Sequence, residues 1–204
     1  MDNKEYLKQI SGQVRPATKP QGKLLSQPIL KIAGIAVAAM VVIIILSTII
    51  SAAGPNTKDQ SISLKLHLDN TSDLISEFQP SVKSSDLRSS SASLYSVLSN
   101  TSRELGDYLA SAYEYSDNKA PSNLVNTADL AKDSLYNDLF EAKINGILDR
   151  IYARQMAYEI SLFMNEETTL HNSTSDATLK SLLTTSYNSL SNLYAKFDDF
   201  SETK

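Results

Sequence analysis

The chain has 204 residues, no cysteine and a net charge of −4. That length leaves one domain with a real core after a short tail and an anchor, and the missing cysteines exclude disulfides, thiolate metal sites and cysteine nucleophiles. The charge is uneven: residues 1–31 carry six basic and two acidic side chains, and the remainder thirteen basic and twenty-one acidic. An acidic C-terminal part argues against nucleic acid as a partner, because phosphate binding needs concentrated Lys and Arg.

Residues 1–28 read as a disordered basic cytoplasmic tail, since Gly12, Pro16, Pro20, Gly22 and Pro28 interrupt any helix. Residues 29–53 read as a transmembrane anchor. Its centre, Ile32 to Ile50, is IAGIAVAAMVVIIILSTII, nineteen residues without a charge. As a helix it spans about 28 Å, close to a hydrocarbon core of about 30 Å. The lipid bilayer is therefore the first expected partner. The basic flank places the N-terminus inside and the acidic domain outside the cell. An apolar core longer than that of a signal peptide favours an anchor over cleavage after Ala53. Gly34 with Ala38, and Ser47 with Ser51, have the spacing that lets helices approach closely, so a homo-oligomer is an open possibility.

Residues 54–57 form a hinge at Gly54-Pro55, and residues 58–200 a bundle of about four antiparallel helices; the fold class is all-α. The first bundle helix opens on a Thr57–Gln60 capping box and closes at Gln79-Pro80. Its alternation of Ile62, Leu64, Leu66 and Leu68 also fits a strand, but no second alternating stretch supplies a partner. The second helix, about Ser84 to Ser116, steps by four and three through Leu87, Ser91, Leu94, Leu98, Thr101, Leu105, Tyr108, Ala112 and Tyr115. The third starts near Pro121 or Thr127 and continues to about Glu167, with a kink at Gly146 where the stripe passes from Leu135, Leu139 and Ala142 to Ile144, Leu148, Ile151, Tyr152, Met156 and Phe163. Its wide apolar arc puts it at the centre. The loop HNSTSD leads to a fourth helix, about Asp176 to Phe200, with a seam of Leu179, Leu183, Ser186, Leu190, Leu193, Phe197 and Phe200; residues 201–204 are a frayed end. Short links imply that consecutive helices are neighbours.

No constellation of catalytic, cofactor-binding or metal-ligating residues emerges. His171 follows Glu167 by four residues, but a di-iron bundle needs a Glu-x-x-His on two helices, and His67 stands apart. Both histidines read as solvated. Neither Gly-x-Ser-x-Gly nor a phosphate-binding glycine loop occurs. Glu166-Glu167 and Asp198-Asp199 read as solvated faces, with weak Ca²⁺ binding as the alternative. The tyrosines of or beside the seams, Tyr113, Tyr115, Tyr152, Tyr158, Tyr187 and Tyr194, fit either the edge of a core or an interface. Three Asn-x-Ser/Thr sequences begin at Asn70, Asn100 and Asn172.

The tail ending LLSQPILK, the span VVIIILSTII and the Ser-rich helices that follow resemble single-pass helical envelope proteins of reduced-genome, candidate-phylum bacteria, mainly over residues 1–55. The resemblance implies no activity and no functional residues. The expectation is a non-enzymatic module, tethered to the membrane and displayed outside the cell, that acts by contact with an envelope protein. The alternative is a ligand-sensing or small-molecule-binding bundle.

Overall fold

The computed structural model describes residues 56–203, with side chains as far as Phe200. The tail, the anchor and the Gly54-Pro55 hinge lie outside the described residues. Within them every regular element is helical, and no helix is long and apolar enough to cross a membrane.

Five helices form, not four: α1 Thr57–Phe78, α2 Ser85–Tyr113, α3 Ser122–Ile144, α4 Leu148–Ser173 and α5 Ala177–Thr203. Helix α1 begins one residue earlier than its sequence suggests. Asn56, not Thr57, is the cap, its side chain accepting from the Asp59 N–H. Gln60 closes no capping box; its Oε1 accepts from the Ser173 hydroxyl at 2.9 Å. Residues 56 and 57 thus belong to the bundle and not to a hinge. Pro80 stops α1 in a short 3₁₀ turn, Gln79–Ser81. Ser84 caps α2. That helix ends at Tyr113, three residues before the expected Ser116, and its cap Glu114 lies in the left-handed region, φ 50°. Ala112 is accordingly exposed, and Tyr115 is buried from the loop instead.

The expected kink at Gly146 is a complete break. Gly146 takes φ +71°, and Asn145, Gly146 and Ile147 reverse the chain between α3 and α4. Ile144, expected in the stripe, is 68% exposed. At its other end α4 runs through His171 to Ser173, so the loop is shorter than HNSTSD. Asp176 caps α5, accepting from the Leu179 N–H at 2.9 Å. That helix extends to Thr203, past the expected fraying point.

Helices α1, α2, α5 and α4 form a ring in which each neighbour is antiparallel, and α3 lies outside, across α1 and α4. Helices α2 and α3 are consecutive but not neighbours, because α1 comes between them. The connection Glu114–Pro121 passes across α1 and is held there by Lys65, whose ammonium meets Asp69 at 2.8 Å and Asp117 at 3.1 Å. Burial works against that charge, but the two carboxylates outweigh it and raise the Lys65 pKa. Gly106 of α2 makes the space: a Cβ there would lie 3.0 Å from Lys65 Cε.

The ring explains the mixed pattern of α1. It packs against α2, α3 and α4, so Ile62, Leu64 and Leu68 are all fully buried although they do not share one narrow face. The central place expected for the third helix is shared by α1 and α4, each with three neighbours. Helix α3 buries far less: Leu124, Leu135, Leu139 and Ala142. Mid-helix, Thr71, Ser72, Thr101 and Ser102 of two sequon-like stretches are buried.

Candidate functional site

The polar centre of the bundle joins residues 92 and 99 positions apart. His67 of α1 is buried against Phe163, ring centroids 4.3 Å apart. Its Nε2 lies 2.7 Å from Glu159 Oε2, and its Nδ1 lies 3.2 Å from both oxygens of Glu166. Glu159 and Glu166 are two turns apart on α4 and straddle the ring. Burial alone would discharge the imidazole. The charge of Glu166 and hydrogen bonds to Glu159 and Glu166 overcome it and push the pKa up to about 10. His67 is therefore an imidazolium at neutral pH and donates from both nitrogens. With both nitrogens engaged, neither is free to serve as a base or metal ligand, and the cluster clamps α1 to α4. His67 is thus not solvated, and neither is Glu166.

Beside this clamp, beneath α3, is a cavity of about 40 Å³. Gln155 donates to Asp138 across its edge at 2.9 Å, and the buried Tyr158 hydroxyl has no protein partner. The space suits one or two waters rather than an organic ligand.

His171 sits half-buried in the last turn of α4, not in a loop. Glu167, one turn earlier, is 1% exposed, and neither carboxyl oxygen has a hydrogen-bond partner. Burial pushes its carboxyl up to about 8; the Ser186 hydroxyl, outside hydrogen-bond geometry, eases this and Glu166 adds to it. The solvated-face expectation thus fails for Glu167 as well. Both residues line a cleft of about 200 Å³ between α4 and α5. Among the described residues, no group of three or more His, Asp or Glu is arranged to hold a metal ion.

Most of the tyrosines prove to be core. Tyr152 is fully buried, Tyr108 and Tyr115 nearly so, and Tyr113 and Tyr194 pack against the core from its edge. Tyr187 and Tyr95 are exposed, on α5 and α2.

The apolar surface is elsewhere, at the bundle end opposite Asn56. Phe140 and Ile144, one turn apart on α3, are exposed, as is Ile147 in the turn that follows. Tyr136 stacks on Phe140, centroids 5.8 Å apart and planes 11° apart. Three cations lie beside Ile147: Lys83, Lys143 and Arg150 line with it an open depression of about 480 Å³. None makes an ion pair with a described residue. Asp149, also in the depression, accepts from the backbone N–H groups of Lys83 and Ser84 at 2.9 and 2.8 Å. Sequence reasoning missed this patch because it placed Ile144 in the core stripe of one continuous helix. Compared with known protein families, curated proteins and solved structures, the chain matched none.

Proposed function

We propose that the chain is a membrane-tethered helical module, displayed outside the cell, that acts by contact with another envelope protein and carries out no catalysis. The observation that carries the contact reading is the exposed apolar group Phe140, Ile144 and Ile147 beside Lys83, Lys143 and Arg150. Large apolar side chains exposed together, rimmed by charge, mark interaction surfaces. The cations call for a partner with an apolar ridge and acidic flanks. The tether is supported by the uncharged stretch Ile32–Ile50 and its basic flank. Confinement to a membrane raises the effective concentration of partners in the same plane. The ligand-sensing alternative needs a pocket of about 300 Å³ or more for a drug-sized molecule. The cavity beneath α3 is about 40 Å³, and the spaces large enough, about 480 Å³ at Ile147 and about 740 Å³ between α2 and α5, are open surface depressions that would leave much of a ligand in water.

The test is site-specific photocrosslinking in the native membrane. A benzophenone side chain at Ile144 is expected to capture one or two envelope proteins. The same label at Tyr95 should capture none of them, and Phe140→Glu should abolish capture. Equal capture from both positions, or capture of nothing but a second copy of the chain, would overturn the partner reading. A periplasmic reporter fused after Lys204 tests the orientation; it is expected to be active, and silence would count against an external bundle.

A further inference from the structure

Residues 114–134 cross α1 and then lie over α1 and α4 with little to hold them. Within this segment only Tyr115 and Leu124 are buried apolar side chains, whereas the second half of α3 buries Leu135, Leu139 and Ala142. The side chains it turns toward the ring are small: Ala128, Ala131 and Ser134 line the cavity of about 40 Å³. The Tyr115 hydroxyl within the segment and the Tyr158 hydroxyl across the cavity are both buried without a hydrogen-bond partner. Two ion pairs fasten the segment to α1, Lys65 with Asp117 at 3.1 Å and Lys132 with Asp73 at 2.7 Å. Each has an exposed carboxylate, and such pairs hold weakly. Sparse apolar burial, a void and two orphaned hydroxyls thus coincide in one seam, while the ring of α1, α2, α5 and α4 closes without it.

We propose that residues 114–134 are a flap, which lifts from α1 and α4 while the second half of α3 stays docked and which, when open, admits water and small solutes to the buried pair His67 and Glu159. Both of those residues line the cavity that the flap covers. Opening unwinds α3 no further than Ser134, and the Lys65–Asp117 pair is the latch. Closed, the flap keeps the imidazolium clamp dry, which strengthens its charge pairs; open, it lets His67 exchange protons with solvent. Phe140 and Ile144 belong to the docked half, so the flap and the contact surface stand or fall separately.

The chain has no cysteine, so one introduced thiol is its only one. The experiment follows reaction with the aromatic disulfide DTNB in three variants of the full-length protein in nanodiscs. Thr71→Cys lies beneath the flap, Ala142→Cys in the docked half of α3 and Ser91→Cys inside the ring; all three positions are buried, and the first and third changes are near-isosteric. Thr71→Cys is expected to react about tenfold or more faster than the other two. Its rate should be flat in low urea, because lifting a flap exposes little surface, whereas that of Ser91→Cys should climb with urea. Asp117→Asn, at an exposed position, should release the latch and speed the reaction at Thr71→Cys by about twofold or more. Thr71→Cys reacting no faster than Ser91→Cys, or following urea as steeply, would mean that only global unfolding uncovers the clamp. Thr71→Cys and Ala142→Cys reacting alike would mean that α3 leaves as a whole. Any of these results would overturn the proposal.

Discussion

His67 is buried with a partner on each ring nitrogen, whereas Glu167 is buried with none. The two should therefore respond oppositely to removal. His67→Ala leaves Glu159 and Glu166 without their counter-charge in a largely dehydrated seam, and breaking such a buried pair costs about 3–5 kcal/mol. Glu167→Met keeps the side chain's length and removes an unsatisfied acid, so it should stabilise the bundle by about 1–3 kcal/mol. Urea midpoints, falling for the first and rising for the second at unchanged slope, check both. Little of this was legible beforehand. His67 stands between Leu66 and Leu68 in an apolar stretch, and Glu159 and Glu166 share one face seven residues apart. Those are signals of a polar residue turned inward, but nothing in a single sequence says that α1 and α4 meet.

At the scale of elements, α3 is the exception. The other helices bury a seam or a wider arc; α3 crosses the outside of two helices on four buried residues and leaves Leu130, Phe140 and Ile144 to solvent. Its local stability should accordingly be lowest, since few buried contacts oppose its opening. Amide hydrogen exchange of the full chain is expected to show the α3 amides exchanging before those of α1, α4 and α5, by about tenfold or more. Uniform protection across the five helices would contradict this. The turn that separates α3 from α4 makes a second prediction. Gly146 has open space where a Cβ would be added, but its φ is +71°. Gly146→Ala should therefore cost about 1–2 kcal/mol through backbone strain alone, with no change in packing. Helical periodicity identified every helical segment, including the ambiguous α1, because the apolar spacing of three and four survives local noise. It could not separate α3 from α4. Their stripes abut across three residues, without a proline, and Gly146 alone reads equally as a kink.

For the molecule as a whole, helix class and approximate extent were legible, and neighbour order was not. Short loops argued for consecutive neighbours, yet the Glu114–Pro121 segment carries the chain past α1, and the Lys65–Asp117 pair that fixes it joins residues whose proximity no local pattern announces. The assembled fold also has a proton balance that no single helix has. His67 is pushed up to about 10 and Glu167 to about 8. Burial likewise pushes Tyr108, Tyr152 and Tyr158 up to about 12. Each of these groups holds its proton more tightly in the folded chain than in the unfolded one, so wherever they titrate the folded state carries the excess and stability falls as pH rises. For Glu167 the loss runs from its ordinary value of 4.5 to about 8, and for His67 from 6.5 to about 10. The two windows overlap around neutrality. Between pH 6 and pH 9 the unfolding free energy should therefore drop by on the order of a few kcal/mol, with both groups contributing. Urea unfolding at several pH values checks the sign: the midpoint should be higher at pH 6 than at pH 9. Glu167→Met should remove the lower part of the slope, and His67→Gln the upper part. A midpoint that rises with pH would mean that the imidazolium clamp and the buried acid are not what sets the balance.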